Sequence, residues 1–516
     1  MSYSAKPLHA FVRCACVAAL IAGPAATVAA PTLIDPGLQV STAASGLVTP
    51  VSMAFIGAND MFVLEKNTGR VQRVVNGVVQ GAVLDLAVNS ASERGLLGIA
   101  LDPSFATNGR VYLYNTESTT GADTNVVANV PLLANRVDRF VWNGSTLTFD
   151  QNLIRLRALQ ADAGQPERAN HNGGVMRFGA DGKLYVAVGD VGRRGWLQNL
   201  PNGPFGGPTP DDAFGGPTPD DAHFTGGILR LNTDGTAPGD NPFFTTGAAL
   251  GGQAGANIQK LYAYGIRNTF GMAFDPVSGK LWAQDNGDDA FDELNRVDAG
   301  MNGGWVQTMG PVSRVAEYKA IETTPPYAGL QQLRWDPSNI ANTPADALSA
   351  MFMLPGATYS DPEFSWKYAV APGSIGFLTG SGLGAAYAGS LFVGAARTTL
   401  EGGYLFRFGM SGDRMNFDLG DPALQDLVAD NLDKFGLTES ESLLFGRGFG
   451  VVTDIQTGPN GNLFLVSLSE GAIYEIKAVS VPEPATWMLL ALCFAALGAT
   501  RKRFVLARAH DWRRPS

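Results

Sequence analysis

The chain has 516 residues, a formal net charge of −10 and only 16% charged residues, with 63 glycines and 30 prolines spread among apolar runs. That balance excludes non-specific nucleic-acid binding, which needs a basic footprint. It also excludes a disordered chain and favours a turn-rich globular β protein with a large core.

The first stretch reads as an export signal. Lys6 and Arg13 precede an apolar run over residues 14–22, and small residues continue to Ala29-Ala30 before Pro31. This is the order of a cleavable secretory signal peptide over residues 1–30. Cys14 and Cys16 lie in it and Cys493 lies in a C-terminal apolar run, so the body between them owes nothing to disulfides.

From Pro50 the chain becomes repetitive. Strand–turn–strand stretches begin near Met53, Leu97, Val175, Gly271, Ile375 and Asp454, with apolar alternation broken by Asn-Asp, Asn-Gly or Asp-Gly turns. Runs such as 227–231, 404–408 and 472–476 read as the exit strand of a copy. Each copy leaves apolar faces that only a neighbouring sheet can cover, so a closed ring is the economical solution. The expectation is an all-β, six-bladed β-propeller over residues 45–477, with a solenoid as the structural rival. Helical signals are weak and short, at 344–354 and 422–428. The nonapeptide 205–213 is repeated at once over 214–222, and its Gly, Pro and Asp content predicts a surface loop.

After Lys477 come Val481-Pro-Glu-Pro484, an apolar run to Ala499 and Arg501-Lys-Arg503. The run is short for a bilayer crossing. The stretch 481–503 resembles the PEP-CTERM sorting signal of Gram-negative bacteria, which implies envelope sorting machinery as a partner. Placement would be in the periplasm, outer envelope or secreted fraction, with transient membrane association. Residues 504–516 form a basic tail.

Four histidines occur, at 9, 171, 223 and 510, and only His171 falls inside a regular module. It is followed by Asn172-Gly173-Gly174 and a hairpin turning at Asp181-Gly182, whose second strand runs out toward Asp190. The hairpin can return Asp190 beside His171, where a carboxylate fixes one imidazole nitrogen and leaves the other to take a proton. A second cluster, Tyr264-Gly-Ile-Arg-Asn268, offers the guanidinium fork of Arg267 and the amide of Asn268 to a carboxylate or quinone oxygen. A third, residues 283–295, concentrates oxygen ligands suited to a hard cation without the spacing of an EF-hand.

Several motifs in order carry a family resemblance. They are Gly95-Leu-Leu-Gly98, His171-Asn-Gly-Gly174, Val188-Gly-Asp190, Gly227-Ile-Leu-Arg-Leu231, Tyr264-Gly-Ile-Arg-Asn268, Asp292-Glu-Leu-Asn295 and Leu391-Phe-Val-Gly394. The chain resembles the soluble quinoprotein glucose/sorbosone dehydrogenases, or aldose sugar dehydrogenases, six-bladed propellers that use pyrroloquinoline quinone (PQQ). The resemblance implies His171 as catalytic base, Asp190 as its orienting carboxylate, and Arg267 and Asn268 as cofactor contacts. It places the backbone carbonyls of Gly287 and Asp288 on the calcium ion (Ca2+) that polarises the quinone, and Asp292 and Glu293 where some members bind another calcium.

Two departures stand out. The family has Gly-Pro where this chain has Gly287-Asp288, and a lysine usual after Ala371-Pro is missing from Gly376-Phe-Leu-Thr-Gly380. Arg397, and on the rim Arg447, are the cationic replacements expected, with Arg407 less favoured.

The implied activity is oxidation of a sugar or polyol. His171 would take the hydroxyl proton while hydride leaves for the quinone. Electrons would then pass to an external acceptor such as a cytochrome, because the chain has no Cys-x-x-Cys-His heme motif. The alternatives are a non-catalytic propeller that binds carbohydrate or protein, and a calcium-dependent lactonase-like hydrolase.

Overall fold

The computed structural model describes residues 30–159, 168–192, 199, 225–328, 336–395, 402–479 and 494. The signal segment, the duplicated nonapeptide with His223, Arg397 and nearly all of the sorting segment lie outside the described residues.

Each repeated stretch opens one sheet. The first strands are Pro50–Gly57, Leu96–Leu101, Met176–Phe178, Met272–Phe274, Pro372–Phe377 and Val452–Thr457. Each begins a four-stranded antiparallel run. The first strands touch in chain order, and the last returns to the first. The sheets therefore form a closed ring with these strands innermost, which is a β-propeller.

The expectation of an all-β, six-bladed propeller made of like copies needs correction in its make-up. Only five of the sheets draw their four-stranded run from a single stretch of chain. The remaining one is a composite, in which Val452–Thr457, Leu463–Ser467 and Ala472–Ala478 are completed by Leu38–Ser45 from the other end of the body. The runs read as exit strands are third strands instead. Gly227–Leu231 is followed outward by Leu261–Tyr264, Tyr404–Met410 by Leu444–Arg447, and Ala472–Ala478 by Leu38–Ser45. A repeat-based reading stops one strand short because the fourth strand follows an insertion of variable length. Three sheets are also widened by extra strands, two of them in parallel pairing. Helices add a further departure from all-β, including Phe244–Leu250, Gly252–Ile258, Val315–Thr323 and Pro344–Ala350. The last lies within the weak helical signal at 344–354.

Second strands such as Leu184–Val188, Leu281–Asp285, Leu391–Ala395 and Leu463–Ser467 are buried along their whole length. They read as near-continuous apolar runs because neighbouring sheets cover both faces. Tyr112, Tyr114, Met176, Val186 and Leu229 fill one gap between sheets, and Trp282, Trp366, Phe406 and Phe408 fill another. Each such side chain contributes roughly 1.5–3 kcal/mol by leaving water.

Antiparallel pairing has one geometric result that positions the site. Residues just before a first strand and just after the second strand meet at the same end of the ring. His171 precedes Met176–Phe178 and Asp190 follows Leu184–Val188. One sheet further on, Arg267-Asn268 precede Met272–Phe274 and residues 286–289 follow Leu281–Asp285.

Candidate active site

The hairpin from Met176 to Val188 has Asp181 and Gly182 in its turn, and Gly182 adopts φ +71°. It brings His171 and Asp190 together. His171 Nδ1 lies 2.6 Å from Asp190 Oδ1, and both side chains are almost wholly buried. Gly173 makes this approach possible, since a Cβ there would sit 2.4 Å from the Ala187 carbonyl oxygen.

Asp190 is held from three sides. Besides His171 it accepts from the Gly192 N–H at 2.5 Å and from Trp305 Nε1 at 3.0 Å. Burial works against its charge, but the facing His171 ring, the Arg267 guanidinium and the Gly192 N–H outweigh it and keep its pKa below the usual carboxylate value. An ionised Asp190 favours the proton on Nδ1, leaving Nε2 as the basic nitrogen of a ring that lines the cavity.

Backbone strain concentrates here. His171, Val191, Phe291 and Ala371 all have φ between 52° and 56°, a left-handed conformation that costs a non-glycine residue roughly 1–2 kcal/mol. Hydrogen bonds hold three of them in place. The His171 N–H donates to Glu93 Oε2 at 2.6 Å, the Val191 N–H to the His171 carbonyl at 3.1 Å, and the Ala371 N–H to Asp292 Oδ2 at 2.6 Å.

Arg267 behaves differently from a free fork. Its Nη1 donates to the carbonyls of Asn286 and Gly287, each at 2.8 Å, and its Nη2 pairs with Asp288 Oδ1 at 3.0 Å. Its guanidinium lies over the Trp305 ring at 5.4 Å. Arg267 thus clamps the 286–288 loop while remaining part of the cavity wall. The backbone N–H groups of Arg267 and Asn268 both donate to Asp285, at 2.8 and 2.5 Å. Asn268 Nδ2 donates to Glu93 Oε2 at 3.3 Å, and its Oδ1 is buried with no partner among the described residues.

The expected metal ligands occupy varied positions. Gly287 offers a carbonyl already engaged by Arg267, and the Asp288 carboxylate is paired with the same side chain. Asp292 accepts from the N–H groups of Gly287, Val370 and Ala371, stapling two loops together. Burial nevertheless pushes its pKa up to about 6. Glu293 points elsewhere, accepting from the Gly310 N–H at 2.6 Å and from Asn295. Burial and the Asp285 charge raise its pKa. Gly287, Asp288 and Asp292 line the cavity with His171, whereas Glu293 does not.

That cavity measures about 370 Å³ and also includes Glu93, Asn268, Phe270, Lys434 and Phe435. Lys434 was not anticipated. It reaches the cavity from the insertion between the third and fourth strands of the next sheet, pairs with Asp289, and is carried by a segment in which the Phe435 N–H donates to the Ala369 carbonyl. It brings to the cavity wall a lysine charge that residues 376–380 do not carry. No local motif marks it, because it is 145 residues from its partner. Glu93 was legible in principle, two residues before Gly95-Leu-Leu-Gly98 and just ahead of a first strand. Of the arginines proposed as replacements, Arg447 lies on a fourth strand opposite Thr32 and Tyr404 and does not line the cavity. Arg407 donates to Ser390 and Ala386.

A propeller whose site couples a buried His–Asp pair to an aromatic-lined cavity with both carboxylates and cations in its wall has the framework of a cofactor-dependent oxidoreductase. Comparison with known proteins gives the family. Residues 47–360 match the glucose/sorbosone dehydrogenase model, and residues 480–503 match the PEP-CTERM protein-sorting motif. An uncharacterized protein of Synechocystis sp. is 30% identical over 351 residues, covering 66% of this chain and 74% of the relative. Quinoprotein glucose dehydrogenase B of Acinetobacter calcoaceticus is 30% identical over 273 residues, 52% of each chain. The PQQ-bound aldose sugar dehydrogenase of Streptomyces coelicolor shares the fold, with a TM-score of 0.51 and 22% identity over 86% of this chain and 98% of that one. The chain belongs to the glucose/sorbosone dehydrogenase family. It is a PQQ-dependent dehydrogenase, and its C-terminal motif directs it to the cell envelope or beyond.

Proposed function

We propose that this protein oxidises a sugar or polyol hydroxyl with His171 as the base and Asp190 as the group that orients it. The observation that carries this reading is the 2.6 Å His171–Asp190 contact opening on a cavity that also holds Lys434 and Arg267. The cavity suits a flat, anionic cofactor: Phe270 and Phe435 supply aromatic surface, Lys434 and Arg267 supply positive charge, and Asn268 Oδ1 lacks a partner among the described residues. Glu93, Asp288 and Asp292 in the same wall would repel cofactor carboxylates unless a cation lay between them. That is the argument for Ca2+, with the Gly287-Asp288 loop as the place for it.

When bound, PQQ supplies the two-electron acceptor, a role no side chain of the protein provides. Lys434 and Asn268 would hold it, with Arg267 fixing the loop beneath. His171 Nε2 would accept the substrate hydroxyl proton. Asp190 stabilises the imidazolium that forms, and Trp305 and Gly192 keep Asp190 itself from turning. Glu93 anchors the His171 backbone and the Asn268 amide together, so the base and the cofactor contact move as one unit. Electrons would leave to an external acceptor such as a cytochrome.

The test is reconstitution of purified protein with PQQ and calcium, followed by dye reduction across a panel of sugars and polyols. His171→Ala should lower kcat by about 10²–10⁴-fold while cofactor uptake persists. Full activity in that variant would end the assignment of the base.

A further inference from the structure

Three carboxylates meet where the active-site loop packs against a helix. Carboxylate oxygens of Asp288, Asp289 and Glu322 all fall within 4.8 Å of one another. Glu322 belongs to the helix Val315–Thr323, an insertion outside the repeated sheets that packs against the strand Ala290–Val297. Its side chain is fully buried. Oε1 accepts from the N–H groups of Asp289 and Ala290, at 3.1 and 3.0 Å, whereas Oε2 is buried with no hydrogen-bond partner among the described residues. One turn earlier on the same helix, Tyr318 is also buried with an unpartnered hydroxyl, and its electrostatic neighbours include Glu322 and Asp288.

Charge is out of balance here. Asp288 pairs with Arg267, and Asp289 pairs with Lys434. Arg267 is shared electrostatically with Asp190, Asp285 and Glu322 as well. Glu322 has no cation of its own among these pairs. A buried carboxylate oxygen without a hydrogen bond or counter-charge is costly to the fold. A hard divalent cation removes that cost, because three carboxylates are oxygen donors of the kind it requires.

We propose that Asp288, Asp289 and Glu322 bind a divalent cation, calcium by donor type, which ties the helix Val315–Thr323 to the active-site loop. This site uses side-chain carboxylates, one of them from the helix, whereas the cofactor cation is expected at the Gly287-Asp288 backbone carbonyls. Its role is structural: it holds the loop that Arg267 and Lys434 grip from the cavity side.

The experiment is calorimetric titration of calcium into the chelator-stripped, quinone-free full chain, paired with thermal melts. Wild-type protein should bind one saturable equivalent at this site and gain Tm with calcium. Glu322→Gln, which keeps the oxygen that accepts from Asp289 and Ala290, should lose that equivalent and the calcium-dependent gain. Its cation-free Tm should stay close to that of the wild type, because the contacts to the Asp289 and Ala290 N–H groups are kept. Asp289→Asn should weaken the same binding by about 10-fold or more, through the loss of one charged ligand. No saturable calcium in the wild type, or an unchanged equivalent in Glu322→Gln, would overturn the site. Neither result bears on whether the loaded enzyme turns over sugar.

Discussion

At the scale of single residues, the site rests on how its carboxylates are satisfied. Asp190 spends its oxygens on an imidazole, an indole N–H and a backbone N–H. Asp190→Asn cannot accept from all three and no longer favours the right His171 tautomer. It should lower kcat by about 10²–10⁴-fold with cofactor affinity nearly intact, as read by dye reduction beside quinone titration. Lys434 should show the opposite pattern. Lys434→Met removes a charge-assisted contact worth about 1.5–3 kcal/mol, so quinone affinity should fall by roughly ten- to a hundred-fold, measured by quenching of tryptophan fluorescence. The His171–Asp190 pair was readable in the sequence because a single hairpin delivers both residues. Lys434 was not, because its position depends on a segment of one sheet folding back onto its neighbour, and nothing local encodes that. The guanidinium of Arg267 was read from the sequence as a free fork, and its engagement with the 286–288 loop is visible only in three dimensions.

At the scale of elements, the six stretches that begin the sheets were legible because alternation and turn residues are local properties. The fourth strands were not, because their partners lie beyond insertions that carry no repeat. The inner strands also pack more tightly than any pattern reveals. A Cβ at Gly376 would sit 2.3 Å from the Ile455 carbonyl oxygen of the neighbouring inner strand, whereas one at Gly412 meets nothing within 4 Å. Gly376→Ala should therefore destabilise by about 1–3 kcal/mol, seen as a lower denaturation midpoint, with Gly412→Ala as the near-neutral control. The same crowding explains why small residues recur where first strands of adjacent sheets meet.

At the scale of the whole molecule, buried carboxylates set the response to pH. Glu363 lies outside the cavity, and burial pushes its pKa up to about 7 despite the Arg296 N–H and guanidinium that draw it down. Its folded value exceeds the ~4.3 of an unfolded chain. The stability it contributes is therefore complete below that value and lost as pH rises through 7. Thermal melts of wild-type protein should fall between pH 5 and pH 8, and Glu363→Gln should flatten that slope. A wild-type melt that rises steadily over this window would contradict the account.

The composite sheet has a further implication for biogenesis. Ser41 and Glu475 form a hydrogen bond 434 residues apart, joining Leu38–Ser45 to Ala472–Ala478. In an exported polypeptide that emerges amino end first, the earlier of these strands waits outside the membrane until almost everything else has crossed. Until then the assembly is an open arc with an unsealed edge. The later strand ends at Ala478, two residues before the sorting motif begins. Any protease that trims the tail must cut beyond that point, or it severs the seam that joins the molecule's two ends.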